Sequence, residues 1–191
     1  MLRAYSKYNK ETGYVQGMGF IVALMLTYMD EESTFWMIHS LVNHYDMDKY
    51  FMKNFPGLEK SFYVLLRLMK KHLTKLYDLF RSKEIQPTMY ASQWFITIFA
   101  VNFRFDILVR IFDVLLLEKE KILYRIALAI LKINESGLLA CKGFDDILGR
   151  LKLLYDNVKV EDLFNKAFNF SISRSQIQVK NSRLMIFILG I

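Results

Sequence analysis

Pro56–Leu76 reads PGLEKSFYVLLRLMKKHLTKL. Leu58, Phe62, Leu65, Leu66, Met69, Leu73 and Leu76 fall at steps of three and four, the spacing that lines side chains along one face of an α-helix. Pro56 suits a first helical turn, where no amide donor is needed. Further along, Phe144, Ile147, Leu148, Leu151, Leu154 and Tyr155 repeat the period. Asp145 and Asp146 stand there near the positive helix start, with Arg150 and Lys152 further on. Val160, Leu163, Phe164, Ala167 and Phe168 repeat it again. The patterning predicts other helices at about 1–8, 17–29, 32–45, 88–102, 105–117 and 119–136. No run shows sustained two-residue alternation closed by Asn-Gly or Asp-Gly turns, so strands are not expected. The predicted fold class is all-α, with many helices and short joints.

The 191 residues are 53% hydrophobic and 15% aromatic, with eight Gly and two Pro. This composition excludes a disordered tail, a collagen-like repeat and a linker-rich chain, and the length lets about 70% of the surface be buried. One cysteine, Cys141, supports neither an internal disulfide framework nor a multi-Cys zinc site, which points to a reducing, intracellular setting. The mean hydropathy is +0.18. Thr12–Met29 and Ile85–Phe103 approach the length of a membrane span, but polar residues interrupt both and they read as buried helices. Leu184–Ile191 is too short to cross a bilayer, and no targeting signal is recognised. Lys83–Pro87 reads as a connection, predicting an N-terminal lobe 1–83 and a C-terminal helical lobe 84–191.

The net charge of +7 is unevenly spread: Arg67, Lys70, Lys71, Lys75, Arg81 and Lys83 face Asp78 alone between Ser61 and Lys83. No helix-turn-helix, zinc-finger or stacking-platform signature accompanies this stripe. Nucleic acid is therefore not the expected partner, though a basic face leaves it as a distant alternative. A solvated helix face leaning toward an acidic partner is the preferred reading. In Phe105–Leu117 the polar residues are Asp106, Arg110 and Asp113, a thin stripe on an otherwise apolar cylinder. Such a helix is expected to be enclosed, with Arg110 clamped between carboxylates in a structural role.

Most enzyme signatures fail. Gly17-Met18-Gly19 opens like a dinucleotide fingerprint, but Val22 stands where the third glycine belongs. No Walker loop, Gly-x-Ser-x-Gly elbow, Ser-x-x-Lys or His-Glu-x-x-His is present. His39 and His44 are five apart and turn to different helix faces, so no metal site is expected. The segment that stands out is Tyr8–Gly19, YNKETGYVQGMG, with Gly13, Gly17 and Gly19 within seven residues. A helix starts there, and its backbone N–H groups are placed to meet an anion. Gln16 is neutral and both donates and accepts hydrogen bonds, the chemistry needed to hold a water in line with a phosphoryl group. From the residues alone, a backbone-capping role for Gln16 at a tight turn is the favoured reading, since a single Gly-rich loop is a weak signal.

Gly13–Met18 resembles the Tyr-x-Gln-Gly motif of TBC-domain Rab GTPase-activating proteins, and Leu2-Arg3-Ala4-Tyr5 through Tyr8-Asn9 resembles the helix before it. Further likenesses follow in order: Phe35-Trp36 after Asp30-Glu31-Glu32, then Phe55-Pro56-Gly57-Leu58. Tyr90-Ala91-Ser92-Gln93-Trp94-Phe95 with Phe99-Ala100 comes next, then Arg110-Ile111-Phe112-Asp113, similar to the family's Arg-Ile-Trp-Asp. The likeness thins after about Asn169.

The resemblance implies a two-lobed TBC-like domain, N-terminally incomplete, from an activator of Rab-type small GTPases in their GTP-bound state. In that family an arginine neutralises charge developing on the phosphate, and the motif glutamine replaces the GTPase's own water-orienting glutamine. Gln16 matches that catalytic glutamine. The arginine belongs to an upstream Ile-x-x-Asp-x-x-Arg motif that this sequence does not contain, and Arg3 matches an ordinary helix residue. Since an arginine finger is worth about 10³–10⁵ in rate, these residues alone are expected to be inactive or weak. The resemblance further implies that Gly13, Gly17 and Gly19 shape the loop, while Tyr14 and Met18 shape it or touch the GTPase. Ser92, Trp94, Phe95, Arg110 and Asp113 are expected to support it. No cofactor is expected, GTP and magnesium being bound by the partner. The location implied is cytoplasmic, peripheral to endomembranes through the Rab in vesicle trafficking. Apolar surface left uncovered by an absent N-terminal portion would promote self-association. The alternative is a non-catalytic Rab-binding or scaffold module.

Overall fold

The computed structural model of the chain describes residues 1–45, 47–52 and 55–178. The Leu184–Ile191 run, and the part of the predicted C-terminal lobe after residue 178, lie outside them. Among the described residues there are thirteen α-helices, one 3₁₀ turn and no strand. In chain order they are α1 (Leu2–Tyr8), α2 (Met18–Leu26), α3 (Glu31–His44), α4 (Asp48–Phe51), α5 (Pro56–His72), α6 (Thr74–Ser82), the 3₁₀ turn Pro87–Met89 and α7 (Ser92–Ile96). Then come α8 (Phe105–Glu118), α9 (Lys121–Ile133), α10 (Glu135–Leu139), α11 (Phe144–Lys152), α12 (Val160–Asn169) and α13 (Arg174–Ile177).

Where the helices begin and end follows local chemistry. Asp30 caps α3 by accepting the Ser33 N–H at 2.8 Å, a bond that also holds its carboxyl below the usual range. The period that began at Pro56 is interrupted at Leu73, whose φ of −135° breaks the helix, yet Leu73 and Leu76 stay buried. At the end of α9, the Asn134 amide donates to the Ile130 and Leu154 carbonyls, both at 3.0 Å, and the expected 119–136 helix splits into α9 and α10. The predicted 88–102 helix is cut further. Ile98 and Phe99 adopt left-handed φ values of 52° and 61° just after α7. Both are fully buried, and Phe99 stacks on Trp94 with ring centroids 5.7 Å apart. Aromatic packing there overrides a helical pattern.

The chain forms two compact units that interleave along the sequence: Met1–Glu59 with Gln93–Glu120, and Lys60–Ser92 with Lys121 onward. This differs from the expected division at 83/84. The segment Lys83–Pro87 lies inside the second unit, because α6 packs on α10 instead of ending a lobe.

In the second unit α9 packs on α12, and α10 on α6, α9 and α11. Ile122 to Leu131 are buried at every position except Arg125, so α9 is the enclosed helix. The buried face of α5 carries Leu58, Phe62, Leu65 and Met69, as its period predicts. Arg67, Lys70, Lys71, Lys75 and Arg81 are exposed, the solvated face expected of that stripe.

The first unit corrects the reading of Phe105–Leu117 as enclosed. Asp106, Arg110 and Asp113 are all exposed on α8, and Leu117 is 81% exposed. Asp106 pairs with Arg104 through bonds of 2.8 and 3.2 Å, which hold its carboxyl below the usual range. The stripe faces water, so any pairing Arg110 makes is a surface one and not a clamp within an enclosed helix. Among the described residues no helix is long and apolar enough to cross a membrane.

The burial pattern separates two leucines on neighbouring helices. Leu128→Ala in α9 is expected to lower unfolding free energy by about 2–5 kcal/mol. Leu117→Ala in α8 should change it by about 0.5 kcal/mol or less. Urea unfolding followed by circular dichroism measures both.

Candidate functional site

The glycine-rich segment is fixed from both ends. On its N-terminal side the Asn9 side-chain oxygen accepts the Thr12 N–H at 3.1 Å and the Asn9 carbonyl accepts the Gly13 N–H at 2.8 Å. The Asn9 amide in turn meets the hydroxyl of fully buried Tyr5 at 3.3 Å. Burial pushes that hydroxyl's pKa up, with the Asn9 contact acting in the opposite direction. On the C-terminal side the Met18 N–H donates to Val15 O at 3.1 Å, the Val15 N–H to Met18 Sδ at 3.4 Å and the Phe20 N–H to Gly17 O at 3.1 Å. These three donors are engaged within the loop and hold its C-terminal side.

Gly17 carries the close approach. It precedes α2 with φ 111°, a region closed to L side chains, and a Cβ there would lie 2.8 Å from Ile96 Cγ2 and 3.4 Å from Thr97 Cγ2. Gly13 has φ 64° with nothing within 4 Å of a built Cβ. Gly19 sits inside α2 without a left-handed φ, its nearest neighbour being the Tyr14 hydroxyl at 3.9 Å, so it is not a bend former.

Between the two pinned ends, Gln16 is exposed and its side chain makes no hydrogen bond to any described residue. The capping role is therefore not what the geometry displays. Gln16 lines a concavity of about 470 Å³ with Gly17, Phe20, Phe55, Gln93, Ile96 and Val101. Phe20 and Val101 are about half exposed, so the walls are apolar and open to a partner. Among the described residues no three His, Cys, Asp or Glu side chains gather to hold a metal ion.

The other expected site residues divide. Tyr14 is exposed beside the loop. Met18 is 1% exposed, so it shapes the loop from inside and cannot touch a partner. Trp94 and Phe95 are fully buried, Phe95 stacked on Tyr50 at 6.3 Å, and both lie behind the loop's seat. Ser92 starts α7 with its hydroxyl donating to Thr88 O at 3.0 Å. Arg110 and Asp113 lie on the exposed stripe of α8 and are not among the residues lining the concavity. The direct seat, Ile96 and Thr97, and the second amide, Gln93, were not singled out from the sequence. The available signal was Gly17 itself, since a glycine before a helix calls for a neighbour too close for a Cβ.

The model of the Rab-GTPase-TBC domain matches residues 1–139, and the chain belongs to that family. It is 30% identical over 177 residues to TBC1 domain family member 4 of Mus musculus, covering 91% of this chain and 14% of that protein. It is 34% identical over 166 residues to the GTPase-activating protein GYP5 of Saccharomyces cerevisiae, covering 86% and 18%. The crystal structure of the Chlamydomonas flagellar RabGAP TBC domain superposes with a TM-score of 0.75 at 32% identity, covering 88% of this chain and 57% of that one. The chain thus spans about a sixth of the length of those curated relatives.

Substituting the two positive-φ glycines is expected to separate conformation from contact. Gly13→Ala should cost about 1 kcal/mol, the left-handed penalty alone. Gly17→Ala adds the collision with Ile96 and should cost about 2–4 kcal/mol. Thermal unfolding of the two variants, compared at equal concentration, measures the gap.

Proposed function

We propose that the protein accelerates GTP hydrolysis by a Rab-type small GTPase in its GTP-bound state, with Gln16 entering the partner's active site to orient the attacking water. The observation that carries this reading is an exposed Gln16 amide, without a hydrogen bond to any described residue, on the rim of an apolar concavity. Membership of the Rab-GTPase-TBC family and the printed names of the relatives support it. A neutral amide suits the role, because it can accept from the water with its oxygen while its N–H₂ bonds the partner's backbone. GTP and magnesium are the partner's, and this protein contributes no cofactor. In the family a second catalytic group, the arginine of an Ile-x-x-Asp-x-x-Arg segment, acts together with the motif glutamine. Action on a Rab places the protein in the cytoplasm at the surface of trafficking membranes.

Single-turnover GTP hydrolysis across a Rab panel tests this directly. Little stimulation is expected from the 191 residues alone and strong stimulation from a longer chain carrying the arginine segment. Gln16→Ala in that longer chain should lose about 10²-fold, the usual cost of removing one preorganised hydrogen-bonding group. Equal stimulation with and without Gln16 would remove it from the mechanism, and binding to the Rab with no stimulation in any form would identify a non-catalytic docking module.

Self-association of the 191-residue chain belongs to the same reading. It is supported by an apolar face where Tyr28, 64% exposed, stacks on Phe105 at 5.9 Å beside the groove between α2, α3 and α8. Sedimentation velocity should give species larger than a monomer as concentration rises, and a clean monomer at high concentration would count against it.

A further inference from the structure

We infer that Gln93 is a positioning residue for Gln16: when a partner covers the concavity, the two carboxamides hydrogen-bond and Gln16 is held in one rotamer. This rests on the role proposed above for Gln16.

Three observations carry it. Gln93 is exposed although Trp94 and Phe95, which follow it, are fully buried, so its side chain is turned toward the concavity that it lines with Gln16. Its backbone is tied to the seat of the glutamine loop. The Gln93 carbonyl accepts both the Thr97 N–H at 3.0 Å and the Thr97 hydroxyl at 2.7 Å, and the same Thr97 presents its methyl 3.4 Å from where a Gly17 Cβ would stand. The segments carrying Gln93 and Gln16 therefore meet at Thr97. Third, the other described side chains lining the concavity are Phe20, Phe55, Ile96 and Val101, all apolar.

A partner seated there excludes water, and an amide stripped of water without a replacement bond is strongly disfavoured. Gln16 has several rotatable bonds, and ordering it costs rotamer entropy that an intramolecular contact lowers in advance. An amide is the neutral group that can answer either end of another amide, leaving the opposite end of Gln16 for the water.

A double-mutant cycle in the arginine-containing chain tests the inference, reading kcat, KM for the GTP-loaded Rab, and Tm. Gln93→Leu is expected to lower kcat about tenfold in the presence of Gln16 and less than twofold in the Gln16→Ala background, with KM and Tm unchanged. Gln93→Ser, polar but too short to reach, should match it and serves as the second variant. An equal fold-loss in both backgrounds, or a raised KM with kcat preserved, would mean that Gln93 meets the partner independently and would overturn the positioning role. A lowered Tm in both variants would reduce Gln93 to a structural residue. Full activity of both Gln93 variants alongside an impaired Gln16→Ala would sink this inference and leave the role of Gln16 standing. Full activity of Gln16→Ala would sink both.

Discussion

The absence of one side-chain carbon at Gly17 is the constraint on which the site depends. Only there can the chain turn at φ 111° into α2 while lying against the Ile96 and Thr97 methyl groups. That contact fixes the C-terminal end of the glutamine loop, as Asn9 and buried Tyr5 fix the other end. Between the two held ends stands Gln16, the residue just before Gly17, and it is exposed.

The seat itself is held by an unusual turn. Ile98 and Phe99 adopt consecutive left-handed conformations, which a β-branched residue and an aromatic avoid in isolation. They persist because both are fully buried and Phe99 is gripped between Trp94 and Phe103, with ring centroids 5.7 and 5.6 Å away. Backbone strain of this kind is found where surrounding packing over-determines a conformation and a functional group must be placed. The aromatic cluster thus acts on the site through the bend it stabilises, and its rings are not among the described residues lining the concavity.

The electrostatic character of the site is equally spare. Among the described residues no charged side chain lines the concavity, whereas the basic residues of α5 and α6 belong to the other compact unit. A hydrogen bond made by a neutral amide between apolar walls strengthens once water is excluded, because the local dielectric is low. Such a surface is suited to completing the chemistry of a partner that brings its own charges.

The local sequence determined what depends on neighbours three or four positions apart: the all-α class, the buried face of α5, the glycine-shaped segment and Gln16 as its most chemically apt residue. Family resemblance extended this to the order of the motifs. It did not reveal that α9, and not α8, is the enclosed helix, since both are richly apolar and only packing decides which is surrounded. Nor did it show that the 88–102 pattern breaks at Ile98, that Met18 faces inward, or that Gln93 and Ile96 stand beside Gln16. Helical period and glycine chemistry are written in adjacent residues. Burial and the meeting of distant segments are set by the free energy of the whole packed chain, which is why tertiary structure alone brought the two amides to one surface.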